Sequence, residues 1–188
     1  MEYVSILSLW LPILVSAVLV FAVSSVIHMF TSIHKNDLVN LPDEDGVRNA
    51  LRPFNIPPGD YFFPRTADHK EMDAPEFKAK LKEGPVGLLT VYPNEEFQMG
   101  SSLVQWFIYC VVVSIFAAYL TGRALDAGTA YLTVFQFAGT TAFLGYALAL
   151  VQNSIWWRRN WVTTGKSILD GLLYGLVTAG TFGWLWPA

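Results

Sequence analysis

Four stretches of this chain contain no Asp, Glu, Lys or Arg: residues 3–34, 97–122, 127–157 and 171–188. A helix rises about 1.5 Å per residue, so crossing about 30 Å of hydrocarbon takes roughly 20 mainly apolar residues. The first three stretches have that length with room to tilt, and the fourth has it if its helix begins near Ser167. Composition agrees: 53% of the residues are hydrophobic and 14% charged, where a soluble domain carries about 25% charged. The expected fold is an all-α membrane protein with four transmembrane helices, over about 5–29, 102–122, 129–151 and 168–186. A small mixed insertion, residues 30–101, stands between the first two helices, and residues 102–188 form a three-helix membrane part.

The first apolar run is expected to stay in the protein. No Lys or Arg precedes it, and it is about twice the length of a secretory signal core of roughly 7–15 residues. Orientation follows Lys and Arg near helix ends. The segment 30–101 holds eight of the twelve basic residues, and Arg158, Arg159 and Lys166 lie between the third and fourth helices. Those two connections share one side, which is expected to be cytoplasmic, with both termini outside. Glu2, with no basic residue near it, favours an outside N-terminus. Tryptophan prefers headgroup depth, and all seven tryptophans fall near an expected helix boundary. Within "QNSIWWRRNWVTTGK", Trp156, Trp157 and Trp161 with Arg158, Arg159 and Lys166 read as a membrane-surface anchor in contact with lipid headgroups.

The insertion 30–101 carries twelve acidic against eight basic residues and eight of the ten prolines. A net charge of −4 argues against nucleic acid, whose binding needs a basic face. Two short helices are legible, one after Pro42 and one over "MDAPEFKAKLKEGP", with Asp73 as its cap and Gly84 as its stop. "VGLLTVY" reads as one strand, and "RPFNIPPGDYFFPR" as extended or turned.

Helices in lipid associate through close packing at small residues. Gly171, Gly175, Ala179 and Gly183 recur every four residues on the fourth helix, and Thr141, Gly145 and Ala149 do so on the third. These two faces are expected to meet within the chain, although the first ladder could also serve a second subunit.

Chemistry is sparse in the sequence. His28 and His34 are six apart, no Cys or His pair has zinc-site spacing, and no nucleotide-binding or nucleophile motif occurs. No metal or cofactor is expected on motif grounds. The single cysteine, Cys110, reads as a small core hydrophobe. Asp170 lies in or next to the fourth span, where an ionisable residue is a functional candidate by default. Its other use is to complement the start of that helix and pair with Lys166, with Thr163, Thr164 or Ser167 as cap. Arg123 is expected to pair with Asp126. The candidate polar site is Asp170, Asn153, Gln136 and His28.

The C-terminal stretch "FLGYALALVQNSIWWRRNWVTTGKSILDGLLYGLVTAGTFGWLWP" covers about a quarter of the chain. It resembles the C-terminal half of a group of small four-helix bacterial inner-membrane proteins without an established activity. The matching positions are Asn153, Trp161, Asp170, Trp186 and Pro187. That resemblance implies a fold and a location but no reaction.

The leading functional expectation is a non-enzymatic oligomerising or accessory subunit, whose partners are membrane lipids and a second copy or another membrane subunit. One alternative is a small transporter or channel formed by assembly, with Asp170, Gln136 and Asn153 facing an enclosed wet path. The other is a membrane enzyme or cofactor-binding subunit using His28, His34 and Asp170, which requires those three to converge on the cytoplasmic side.

Overall fold

A computed structural model describes residues 3–96 and 98–188; Glu2, used above for orientation, lies outside them, as does Phe97. The elements in chain order are α1 (Trp10–Phe30), α2 (Glu44–Leu51), β1 (Gly59–Phe63), α3 (Pro75–Glu83), β2 (Gly87–Val91), α4 (Met99–Ala124), α5 (Tyr131–Tyr146), α6 (Val151–Trp156) and α7 (Trp161–Trp184). The chain divides into two compact units, Met1–Leu38 with Gln98–Ala188, and Val39–Phe97.

In the first unit, three helical stretches are long and apolar enough to cross a membrane: Trp10–Phe30, Met99–Ala124 and Tyr131–Trp156. The last runs through α5, a 3-10 turn at Leu148–Leu150 and α6. The 24 residues of α7 include Thr, Gly, Lys166 and Asp170, and fall short of the same apolarity. α1 packs on α4 and α7, α4 on α5, and α5 on α7, so the four helices close a ring. One end of its core is Leu9, Ile13, Ala117, Val134 and Phe182, and the other is Val20, Cys110, Ala142, Tyr146 and Tyr174. Cys110 is fully buried. A buried hydrogen bond from Ser16 Oγ to Ser114 Oγ, 3.0 Å, joins α1 to α4.

The helix ends differ from the sequence expectation in ways that matter for the site. α1 begins at Trp10, not near residue 5, which puts Pro12 in its first turn. Proline breaks no hydrogen bond there, because the first N–H groups have no partner in any helix. α7 begins at Trp161, seven residues before the expected start. Its cap is Asn160, whose Oδ1 accepts the Val162 N–H at 2.8 Å. Thr163, Thr164 and Ser167 are therefore interior helix residues. Thr164 Oγ1 accepts from Ser154 Oγ at 2.8 Å and ties α6 to α7. α6 closes with Arg158 at φ 53° and with the N–H groups of Trp157 and Arg159 donating to the Asn153 carbonyl.

α5 and α7 run antiparallel in close contact, as the small residues led one to expect, but α5 offers a different face. A methyl carbon added at Gly171 would meet Ala147, one at Gly175 would meet Gly139 and Phe143, and one at Gly183 would meet Tyr131; one added at Gly139 would meet Ala179. The α5 seam is thus Tyr131, Gly139, Phe143 and Ala147, not Thr141, Gly145 and Ala149. Positions two apart on a helix point about 200° apart, so choosing the wrong four-residue ladder selects the far side. Gly145 faces Val113 of α4 and its carbonyl accepts from the Tyr109 hydroxyl at 2.6 Å. Thr141 bonds back to the Phe137 carbonyl, and Ala149 lies exposed in the 3-10 turn.

In the second unit, Asp43 caps α2 by accepting the Gly46 N–H at 2.9 Å. Ala74, not Asp73, occupies the cap position of α3, with Pro75 beginning the helix. Asp73 pairs with Lys78 instead, at 3.0 Å. The strand expected alone has a partner: β1 and β2 pair antiparallel from Gly59↔Val91 to Phe63↔Gly87. α3 separates the two strands in the chain, so no local turn signal announces the pairing. No described residue of this unit is buried.

Candidate functional site

At the end of the ring where α1 stops, four ionisable residues form a chain of contacts. His28 sits in the last turn of α1, and its Nδ1 lies 2.9 Å from the Ser24 carbonyl oxygen. A carbonyl only accepts, so Nδ1 carries the hydrogen, and in the neutral ring Nε2 carries the lone pair. The chain then turns sharply, with the Lys35 N–H on the Ser32 carbonyl and the Asp37 N–H on the His34 carbonyl. This turn folds His34 back onto His28; the rings stack with centroids 4.5 Å apart and planes 7° from parallel.

Two charged residues one turn apart on α7 meet that turn. Lys166 Nζ donates to Asp37 Oδ1 at 2.7 Å. Asp37 Oδ2 lies 2.7 Å from His34 Nδ1, and Asp170 Oδ2 lies 2.9 Å from His34 Nε2. The order is Lys166, Asp37, His34, Asp170. Asp170 is buried, His34 and Asp37 are nearly so, and Lys166 keeps about a quarter of its side chain in solvent. The Lys166 hydrogen bond first, and then that of His34, hold the Asp37 carboxyl below the usual carboxylate range. The Nε2 contact is different in kind. Nε2 is buried and makes no aligned hydrogen bond, although the Asp170 oxygen is close.

This geometry corrects two expected pairs. Lys166 and Asp170 do not pair with each other; each takes a partner from the turn after α1. The four-residue spacing on α7 puts both on one face, and the denser charge facing them comes from His34 and Asp37. Arg123 lies over the Tyr3 ring, 4.4 Å from its centroid, and forms no ion pair with Asp126.

A cavity of about 630 Å³ opens beside the cluster, with lining residues from α1, α4, α5 and α7. Its wall is largely aromatic and aliphatic: Trp106, Tyr109, Tyr146, Tyr174, Leu103, Met29 and Met99. Its polar part is Ser24, Ser25, His28, Ser167 and Asp170. The rings pack edge to face, Tyr146 on Tyr174 at 5.4 Å and Tyr109 on Tyr146 at 5.8 Å. Trp106 is half-buried and donates from Nε1 to Ser24 Oγ at 2.8 Å. It serves the cavity wall, whereas Trp10, Trp156, Trp157, Trp161 and Trp184 are exposed.

Of the sequence candidates, Asp170 and His28 come together, and His34 joins them. Gln136 is exposed on α5, and Asn153 is half-buried in α6; neither lines the cavity. Asp37 was not singled out from sequence. Its signal is the His34–Asp37 spacing of three just past a helix end, which places both side chains on one side of a turn. Arg158 and Arg159 are exposed and make no ion pair among the described residues. No protein-family model, curated protein or solved structure matches the chain.

Proposed function

We propose that the chain is a four-span protein of the bacterial inner membrane that takes a single-chain membrane amphiphile into the cavity, with the polar end of that molecule at His28 and Asp170. The carrying observation is the asymmetry of the cavity: a largely aromatic and aliphatic wall that ends at one buried carboxylate and one imidazole. Ligand pockets have this character, mostly apolar with a few placed polar groups. A membrane enzyme or cofactor-binding subunit fits it better than a pore, because Gln136 and Asn153 lie off the cavity.

Two further observations support the membrane arrangement. α7 follows α5 from Gly171 at Ala147 to Gly183 at Tyr131. It therefore runs alongside that apolar stretch, which supports reading it as the fourth span. Basic residues in 30–101 and at Arg158, Arg159 and Lys166 support a topology with the His28 end in the cytoplasm and both termini outside. A non-enzymatic oligomerising or accessory subunit is the second reading. Since α5 of the same chain fills the α7 ladder, that role needs another surface.

The test is photo-crosslinking of the full chain in lipid nanodiscs with a fatty acid carrying a diazirine on the first carbons after its carboxylate. Label is expected to concentrate on Met29, Met99 and Leu103, and to fall when Leu103→Trp fills the cavity. Label spread evenly over the lipid-facing sides of α1 and α4, unchanged by Leu103→Trp, would remove the reading.

A further inference from the structure

We infer that His28, His34 and Asp170 form a binding site for a divalent transition-metal ion, held at the polar end of the cavity. One ligand atom from each, a ring nitrogen of either histidine and a carboxylate oxygen, lie within 4.8 Å of one another. The residues come from the end of α1, from the turn after it and from α7. No sequence motif unites them.

Orientation of the rings carries the inference beyond proximity. Histidines that bind metals donate the other ring N–H to a carboxylate or a backbone carbonyl, which fixes the tautomer and aims the lone pair. Both histidines here do so. His28 Nδ1 is held by the Ser24 carbonyl, and His34 Nδ1 by Asp37, which Lys166 holds in turn. Both Nε2 atoms are left as donors to a metal. On His34 this has an electrostatic consequence. Its Nε2 lone pair would stand 2.9 Å from a carboxylate oxygen, a repulsive contact unless something positive lies between. A proton there would have to point at the oxygen, and the contact is not aligned that way. A metal ion bonded to both atoms resolves the conflict.

The distances fit. An ion about 2.1 Å from each ligand brings ligand atoms to about 3.0 Å apart in octahedral and about 3.4 Å in tetrahedral geometry. His34 Nε2 and Asp170 Oδ2, at 2.9 Å, already stand close to the octahedral separation. His28 is the exposed member, and its ligand atom stands within 4.8 Å of the other two. Two imidazoles and one carboxylate suit zinc, iron, cobalt or manganese, and three protein ligands leave positions open. Those positions face the cavity, since His28 and Asp170 also line it. The inference deepens the reading of the cavity as a binding site, yet the ion is tested without any occupant. Failure of one therefore leaves the other standing.

The experiment uses the full chain, purified in detergent, freed of its tag and stripped with EDTA, then titrated with Co²⁺. One equivalent is expected to bind and to give visible absorption bands, to be displaced by Zn²⁺ and to be unaffected by excess Mg²⁺. His28→Ala, which changes an exposed residue, should lower Co²⁺ affinity at least roughly tenfold, and Asp170→Asn likewise. Asp37→Asn, which alters no ligand, should lower it roughly ten- to a hundredfold, with recovery in Asp37→Glu. His69→Ala, in the other unit, should leave binding unchanged. Each variant is first checked by size exclusion and circular dichroism. His28→Ala decides the matter if Asp170→Asn does not fold. Absence of stoichiometric Co²⁺ binding to the parent chain, or binding that is unchanged in His28→Ala, overturns the inference.

Discussion

Two chemically identical substitutions on α7 should change stability in opposite directions. At Gly171 an added methyl carbon would stand 2.6 Å from Ala147 Cβ and 3.2 and 3.3 Å from that residue's Cα and backbone nitrogen. Carbon atoms in favourable contact sit about 3.5–4.0 Å apart, so α7 and the start of the 3-10 turn must separate by about 1 Å. Overpacking of this kind costs about 1–3 kcal/mol. The higher helix propensity of alanine offsets about 1 kcal/mol of that. Gly171→Ala should therefore be destabilised by about 1 kcal/mol, and by about 2 kcal/mol if the backbones cannot part. At Gly165, on the same helix, nothing lies within 4 Å of the added carbon. Only the propensity term acts, and Gly165→Ala should gain about 0.5–1 kcal/mol. The double variant Gly171→Ala with Ala147→Gly removes the closest contact but not the backbone ones, so it should recover part of the loss. Unfolding by SDS in mixed micelles, followed by tryptophan fluorescence, measures all four proteins. If Gly171→Ala proves as stable as the parent, the close α5–α7 seam is wrong.

Gly175→Leu should fail to fold or assemble, since the added carbon already meets the Gly139 carbonyl and the Phe143 backbone at 3.2–3.3 Å; detergent stability equal to the parent's refutes this. Ser114→Ala removes one buried interhelical hydrogen bond and should lower stability by about 0.6 kcal/mol in the same unfolding assay, because Ser16 keeps the Ile13 carbonyl as acceptor. Lys166→Met leaves Asp37 with His34 alone and should weaken the tie between α7 and the turn after α1 by about 1–2 kcal/mol, against no change for Lys35→Met; equal stabilities of the two variants refute it. Replacing both Arg158 and Arg159 with Gln should loosen orientation, read as mixed signals from reporters fused to the C-terminus, and unchanged reporters would show that the anchor role is overstated.

Charge-free length made three helices long and apolar enough to cross a membrane legible from sequence alone. Small residues every four positions likewise announced that α7 packs tightly. Which residues of α5 receive it was beyond a periodicity argument, since Thr141, Gly145 and Ala149 have the same spacing as the true Gly139, Phe143 and Ala147 seam. The β1–β2 pairing was equally hidden, because its strands are separated in the chain by a helix. The site shows the same division most sharply. His28 and Asp170 were visible as unusual residues near helix ends, but helix periodicity relates only residues three or four apart on one helix. His34 reaches Asp170, and Asp37 reaches Lys166, across well over a hundred residues of chain. A turn after α1 and the packing of α7 against α1 bring those charges together. That closeness is a property of the packed helices, where the turn after α1 meets the charged face of α7 and burial favours paired charges.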